Sequence, residues 1–255
     1  MTSDTPNPVR VTADHVRGRD PKPIIRRVYK TVSLGELEGG WRLLLDGKPA
    51  RTPMKLFLET PHRALADAVA AEWDAQIESI RPETMFMTRL LATAVDRISS
   101  NREMVVRELM AHVHADLLCY RAEHPPALTQ RQRAAWQPVL DWIKVARGIE
   151  MVPSEGVMPR EQAPETVAAM TAAIEALDVN RLTAFQACAS AAGSLGLALA
   201  LVHGRVTAAQ VFAATTLDEF YQMETWGDDT LARERRDGLE RDLAAAGEFL
   251  RLTSI

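Results

Sequence analysis

The feature that most constrains the fold is a change of hydrophobic period at Pro61. Before it, residues 24–60 show the alternating, β-branched pattern of strands, as where Val28, Lys30 and Val32 alternate with Tyr29 and Thr31, and residues 55–58 predict a further strand. Asp46-Gly47 suits the positive φ angles of a tight hairpin turn. After Pro61, apolar residues recur every three or four positions to the end of the chain. One such series is Leu65, Val69, Trp73 and Ile77. The pattern predicts an α+β fold, with a small antiparallel β-rich N-terminal domain followed by a larger all-helical C-terminal domain.

These patterns divide the chain into three parts. Residues 1–23 combine several prolines with polar and charged residues and show no hydrophobic period, so we predict a flexible tail. Residues 24–86 are assigned to the β-rich domain and residues 87–255 to the helical domain. The most apolar stretch, residues 187–202, is rich in alanine and shorter than the roughly 20 strongly apolar residues of a membrane span. It predicts a small-residue helix in the core, and we expect no membrane insertion.

Composition and missing motifs disfavour several classes of function. Lys and Arg number 30 against 34 Asp and Glu, and a net charge of −4 argues against nucleic-acid binding. Two cysteines provide no disulfide framework, and the N-terminus has no apolar signal-peptide core, so we expect a cytoplasmic protein. The sequence also lacks a phosphate-binding glycine loop, a dinucleotide fingerprint and a nucleophile elbow.

One group of residues suggests a metal site. If residues 111–119 form a helix, His112, Asp116 and Cys119 stand at i, i+4 and i+7 and share a face. Imidazole, carboxylate and thiolate are zinc ligands, so a metal-dependent hydrolase is one hypothesis. A fourth ligand and the His-Glu-x-x-His motif are missing from the sequence. The preferred interpretation is therefore that Cys119 is a core residue and that the protein uses no metal or other cofactor.

The segment 217–229 is the most informative part of the C-terminal region. Helical spacing places Glu219 on one stripe with Phe212, Met223 and Trp226. A carboxylate in an apolar setting is costly unless it gains a partner. Glu219 therefore either pairs with an arginine of a neighbouring helix or forms a specificity contact in a groove that binds a partner, as in an adaptor between other proteins.

The end of this segment predicts a turn between two helices. Gly227 suits a helix end in the left-handed conformation. Asp228 and Asp229 would then lie at the start of the next helix, where acidic side chains interact favourably with the helix dipole.

Several segments match one known family in their order along the chain, over about residues 25–230. They are residues 45–53 (LDGKPARTP), 71–76 (AEWDAQ), 87–96 (MTRLLATAVD), 116–121 (DLLCYR), 136–142 (WQPVLDW) and 193–195 (GSL), then Leu217-Asp218-Glu219 with Gln222 and Trp226-Gly227. Together they resemble the assembly chaperone family that binds the α subunit of the F-type ATP synthase catalytic head, in mitochondria and α-proteobacteria.

The resemblance implies the same two-part fold and no enzymatic activity. It implies an ATP-independent molecular chaperone that binds the unassembled α subunit, its client, and prevents aggregation until assembly with the β subunit. We expect a monomer, cytoplasmic in bacteria and in the mitochondrial matrix for eukaryotic relatives. The partner-binding residues that we assign on this basis are Glu219, Gln222, Glu224, Trp226, Gly227, Asp228 and Asp229.

Overall fold

The computed structural model describes residues 25–155, 160–227 and 229–254. The predicted hairpin is part of an antiparallel sheet near the N-terminus. The strands of this part are β1 (Ile25–Arg26), β2 (Val32–Leu37), β3 (Gly40–Leu45), β4 (Lys48–Pro49), β5 (Glu59–Thr60) and β6 (Ser79–Ile80). Strand β3 pairs with β2, β4 and β5, while β1 pairs separately with β6. Asp46 and Gly47 have φ angles of 48° and 75°, which confirms the tight turn.

Two details of the predicted strands are wrong. The alternation from Val28 does not form a strand before Val32, and Val28 is 88% exposed. The segment 55–58, predicted as a strand, begins in a turn because Lys55 has a φ of 67°. Pairing resumes at Phe57, which bridges to Arg51, and continues in β5.

Helices make up most of the rest of the described chain. They are α1 (Arg63–Asp74), α2 (Phe86–Thr93), α3 (Arg102–Met110), α4 (Pro126–Arg147), α5 (Pro164–Glu175), α6 (Val179–Ala192), α7 (Leu195–Val202), α8 (Ala208–Thr215), α9 (Leu217–Trp226) and α10 (Thr230–Thr253). A π-helical segment, Ala94–Ile98, continues α2, and the short strands β7 (Tyr120–Arg121) and β8 (Ser154–Glu155) pair in parallel. The α+β prediction is confirmed.

The helical core forms where α6 packs on α10 and α7, and α10 also packs on α8. Its largest fully buried side chains include Trp136, Phe185 and Phe249. Every residue of α7 is buried, which confirms a core position for the apolar stretch. The prediction of a single helix over this stretch is wrong. Gly193, with a φ of 63°, ends α6, and the Ser194 hydroxyl then accepts a hydrogen bond from the first turn of α7.

Helix α1 lies in the part assigned as β-rich and packs on strands β2 and β3. The boundaries at residues 23 and 86 stay a prediction, and the predicted tail lies outside the described residues. None of the helices in the described part of the chain combines the length and the apolar character required to span a bilayer.

Candidate functional site

Helix α9 lies on the surface between α8 and α10 and carries most of the predicted partner-binding residues. No residue of α9 whose exposure is described is buried. The buried Thr216 separates it from α8, and its hydroxyl donates to the Phe212 carbonyl at 2.7 Å. Phe212 therefore does not share a helix with Glu219, and the predicted continuous stripe is wrong. Instead, the rings of Phe212 and Phe220 meet edge to face at 6.3 Å.

Polar contacts from two other helices hold α9 in place. Gln132 of α4 donates from Nε2 to both carboxylate oxygens of Asp218, at 2.9 and 3.0 Å. Arg131 of α4 donates to Glu224 at 2.6 Å, and this hydrogen bond lowers the pKa of the Glu224 carboxyl. These contacts fix α9 against α4.

Glu219 pairs with two arginines of α10. Its carboxylate forms an ion pair with Arg235, and its Oε2 lies 3.7 Å from Nη1 of Arg236. The Arg236 residue is only 5% exposed, and its guanidinium lies 5.5 Å from the centre of the Phe220 ring. Of the two interpretations of Glu219, the arginine pair is confirmed. The carboxylate lies against a buried cation, and this pairing offsets part of the cost of removing the guanidinium from water.

The exposed face of α9 carries Gln222 and Trp226. With Glu219 they stand at i, i+3 and i+7, so the three side chains lie on one side of the helix. Trp226 is 83% exposed and Gln222 is also exposed. Glu224 points away from this face, toward Arg131 of α4. The structure therefore brings Glu219, Gln222 and Trp226 together and separates Glu224 from them.

The turn after α9 follows the prediction in part. Gly227 has a φ of 82° and a ψ of 179°, a region that essentially only glycine occupies, rather than the predicted left-handed helical conformation. Its N–H donates to the Met223 carbonyl at 2.9 Å. Asp229 caps α10 by accepting from the Ala232 N–H at 3.1 Å, so its predicted place at a helix start is confirmed. Asp228 lies outside the described residues.

The hypothetical metal ligands do not share a helix face. Helix α3 ends at Met110, and His112 is exposed. Asp116 is buried and accepts hydrogen bonds from Ser194 and from the backbone of the α7 start. Burial raises the pKa of the Cys119 thiol to about 12, so the thiol is neutral. The described residues contain no group of three or more His, Cys, Asp or Glu that could hold a metal ion. The helical arrangement on which the hydrolase hypothesis depended is therefore wrong.

Sequence reasoning also missed two exposed apolar residues in this part of the chain. Phe220 is 41% exposed and Leu231, on the first turn of α10, is 75% exposed. In the sequence they precede and follow Trp226. The spacing of Phe220 gave no sign of its exposure, because that depends on where α10 lies. The basic partners Arg131, Arg235 and Arg236 were also unassigned.

Comparison with known proteins gives consistent matches. The family model described as ATP12 chaperone protein matches residues 26–144. A crystal structure of Atp12 from Paracoccus denitrificans is 35% identical, with a TM-score of 0.83, over 90% of this chain and 99% of that one. The structure of the Atu1473 protein from Agrobacterium tumefaciens is 41% identical, with a TM-score of 0.84, over 92% of this chain and 88% of that one. The mitochondrial protein atp12 of Schizosaccharomyces pombe is 25% identical over 240 residues, 89% of this chain and 82% of the relative.

Proposed function

Because this chain belongs to the ATP12 chaperone protein family, which has a chaperone role in ATP synthase assembly, we propose that it binds the unassembled α subunit of the F-type ATP synthase. It keeps this client from aggregating until the β subunit takes its place, and it does so as a monomer, without ATP and without catalysis. The observation that carries the proposal is the 35% identity to Paracoccus Atp12 across 99% of that chain. In a bacterial cell the proposed location is the cytoplasm.

We propose that the exposed face of α9 contacts the client directly. Trp226 leaves most of a large indole in water, and tryptophan is among the residues that most often dominate binding energy at protein interfaces. Gln222, one turn before it on the same face, supplies hydrogen-bonding groups at the edge of that contact. Asp228 stays a predicted contact residue.

The remaining assigned residues are proposed to position this face. Glu219 fixes α9 against α10 through Arg235 and Arg236, while Glu224 fixes it against α4 through Arg131. Gly227 and Asp229 set the turn into α10. A rigid scaffold lowers the entropy cost of binding, because the contact residues are already placed before the client arrives.

An aggregation assay tests the proposed function. Denatured α subunit is diluted into buffer without nucleotide, with and without a stoichiometric amount of this protein, and light scattering is followed. We expect the protein to suppress scattering and to comigrate with α on size exclusion, and added β subunit to release it. An unrelated aggregating protein serves as the control client. Unchanged scattering of α, or suppression only when ATP is present, would contradict the proposal.

A further inference from the structure

We propose that the loop of residues 52–56 in the β-rich part is a second contact surface for the client, and that it takes an apolar client segment flanked by carboxylates. This inference rests on the proposed function and extends it to a part of the molecule remote in sequence from α9. The loop connects Arg51 and Phe57, which form an isolated antiparallel bridge.

Hydrogen bonds within the loop define its shape. The Thr52 N–H donates to the Leu56 carbonyl at 2.8 Å, and the Lys55 N–H donates to the Thr52 carbonyl at 2.9 Å. The Leu56 N–H donates to the Thr52 hydroxyl at 3.1 Å, and Arg51 Nη1 donates to the Lys55 carbonyl at 2.7 Å. A turn closed in this way is typical of a three-residue hairpin loop whose last residue is left-handed.

Asp96 fixes this loop to the π-helical segment that continues α2. The Thr52 hydroxyl donates to Asp96 Oδ1 at 2.5 Å, and the Met54 N–H donates to Asp96 Oδ2 at 3.2 Å. Thr52 itself is buried. The loop therefore has one position relative to the helices, and its side chains are presented from a fixed backbone.

The side chains that this backbone presents are apolar. Met54 is 69% exposed and Leu56 is 44% exposed. The backbone N–H groups of both residues are hydrogen-bonded, that of Met54 to Asp96 and that of Leu56 to Thr52. Neighbouring apolar side chains that a rigid loop holds in water are a feature of protein interaction sites, and methionine adapts its shape to different partners.

Two cationic residues belong to the apolar tip or adjoin it: Lys55 lies between Met54 and Leu56 in the chain, and Arg51 lies over the Phe57 ring at 4.4 Å. Arg51 and Lys55 are both exposed, and within the described part of the chain neither forms an ion pair with a carboxylate. The nearby carboxylate of Glu59 is already held by Arg42, at 2.7 and 2.9 Å. A cationic rim in a chain of net charge −4 complements carboxylates on a partner.

The conformation of Lys55 is a second, independent observation. Its φ of 67° is strained for a residue with a side chain and is readily adopted by glycine. Strained non-glycine residues are found preferentially at functional sites. A lysine at this position makes the folded protein less stable than a glycine would, and it places a cation at the edge of the loop. This fits a binding role for that cation.

Binding of α subunit by purified variants of the full chain tests the inference. The variants are Lys55→Glu and the double change Met54→Ser with Leu56→Ser, and the readout is the protein concentration that halves α aggregation. We expect at least a tenfold increase for each, with the effect of Lys55→Glu reduced by added salt. Lys48→Glu, a charge reversal at an exposed lysine of β4, and Val28→Ser, at an exposed apolar residue, are the matched controls and should change the value less than twofold.

Lys55→Gly separates binding from stability. We expect a melting temperature equal to or above that of the wild type, because the strain is relieved, together with weaker client binding. If all three loop variants protect α as well as the wild type does, the loop is not a contact surface for the client, and the proposed function is unaffected. Wild-type protein that does not bind α would overturn both.

Discussion

The Asp116 carboxylate accepts a hydrogen bond of 2.7 Å from the hydroxyl of Ser194, 78 residues further along the chain. The same oxygen, Oδ1, also accepts from the Leu118 N–H at 2.9 Å, and the other oxygen, Oδ2, accepts from the Gly196 N–H at 3.0 Å. One buried carboxylate thus satisfies the start of α7 and joins it to the connection between α3 and α4. The residue that suggested a metal ligand is a helix cap in the core.

Replacing this cap should destabilise the fold. We expect Asp116→Asn to lower the free energy of unfolding by about 2–4 kcal/mol, because the amide group turns a donor toward buried N–H groups. Urea denaturation followed by circular dichroism measures the loss. Ser194→Ala, which removes one of the donors, should cost about 1 kcal/mol. Equal stabilities of Asp116→Asn and the wild type would show that the cap contributes nothing.

Glu219 and Glu224 offer a matched pair of acids on α9. Arg236, the partner of Glu219, has a side chain only 6% exposed, whereas Arg131 and Glu224 are 48% and 55% exposed. We expect Glu219→Gln to lower the free energy of unfolding by about 1–2 kcal/mol, because it removes a negative charge that faces a buried guanidinium. Glu224→Gln should leave the urea midpoint unchanged, since exposed pairs are screened by water and salt and the Gln132–Asp218 hydrogen bonds still hold α9 on α4. A larger loss for Glu224→Gln would contradict this assignment.

Trp226 should matter for client binding and hardly at all for folding. Because its side chain is 83% exposed, Trp226→Ala removes little buried area, and we expect an unchanged melting temperature. The concentration needed to protect the α subunit should rise about tenfold or more, as for a central interface tryptophan. Val145→Ala, at an 88% exposed apolar residue of α4, is the control. Equal protection by the two variants would exclude Trp226 from the client contact.

The hydrogen bonds to the Asp46 carboxylate predict that the stability of the folded protein depends on pH. The backbone N–H groups of Lys30 and Thr31 and the Thr31 hydroxyl donate to Asp46 Oδ1 at 2.9, 2.8 and 3.0 Å. The backbone hydrogen bonds lower the pKa of the Asp46 carboxyl below its ordinary value of 3.8. A lowered pKa in the folded state means that the stabilisation is complete above pH 3.8 and is lost as the pH falls through the folded-state value.

The test compares the wild type with Asp46→Asn, which keeps a residue that tolerates the φ of 48°. The variant should melt at a lower temperature at pH 7, and the difference should shrink as the pH is lowered below about 4. Glu36→Gln, at an exposed acid of β2, should show no difference at either pH. If the difference in melting temperature between the wild type and Asp46→Asn stays constant down to pH 2, the Asp46 charge does not have the assigned role.

Local sequence rules were sufficient wherever the partners are neighbours in the chain. The change of period at Pro61 separates the sheet from the helices, since strand and helix periods follow from backbone geometry alone. Asp46-Gly47 forms its turn and Asp229 caps α10 through contacts within three residues. The same rules were inadequate for residues 187–202, because the alanine-rich pattern on both sides of Gly193 is compatible with one helix or two.

The candidate site depended on contacts that no local pattern contains. Helical spacing placed Glu219 and Trp226 on one face, and it could not show that Thr216 would end α8 before that face begins. Only the packed structure pairs Glu219 with a buried Arg236, leaves Trp226 in water, and fixes Asp96 under the loop at Met54. By itself, the sequence determined where the strands give way to helices and where the Asp46-Gly47 turn lies, because periodicity and turn chemistry act between near neighbours. The tertiary structure decided which charges are paired and which apolar side chains stay exposed, because burial and ion pairing depend on groups brought together from distant parts of the chain.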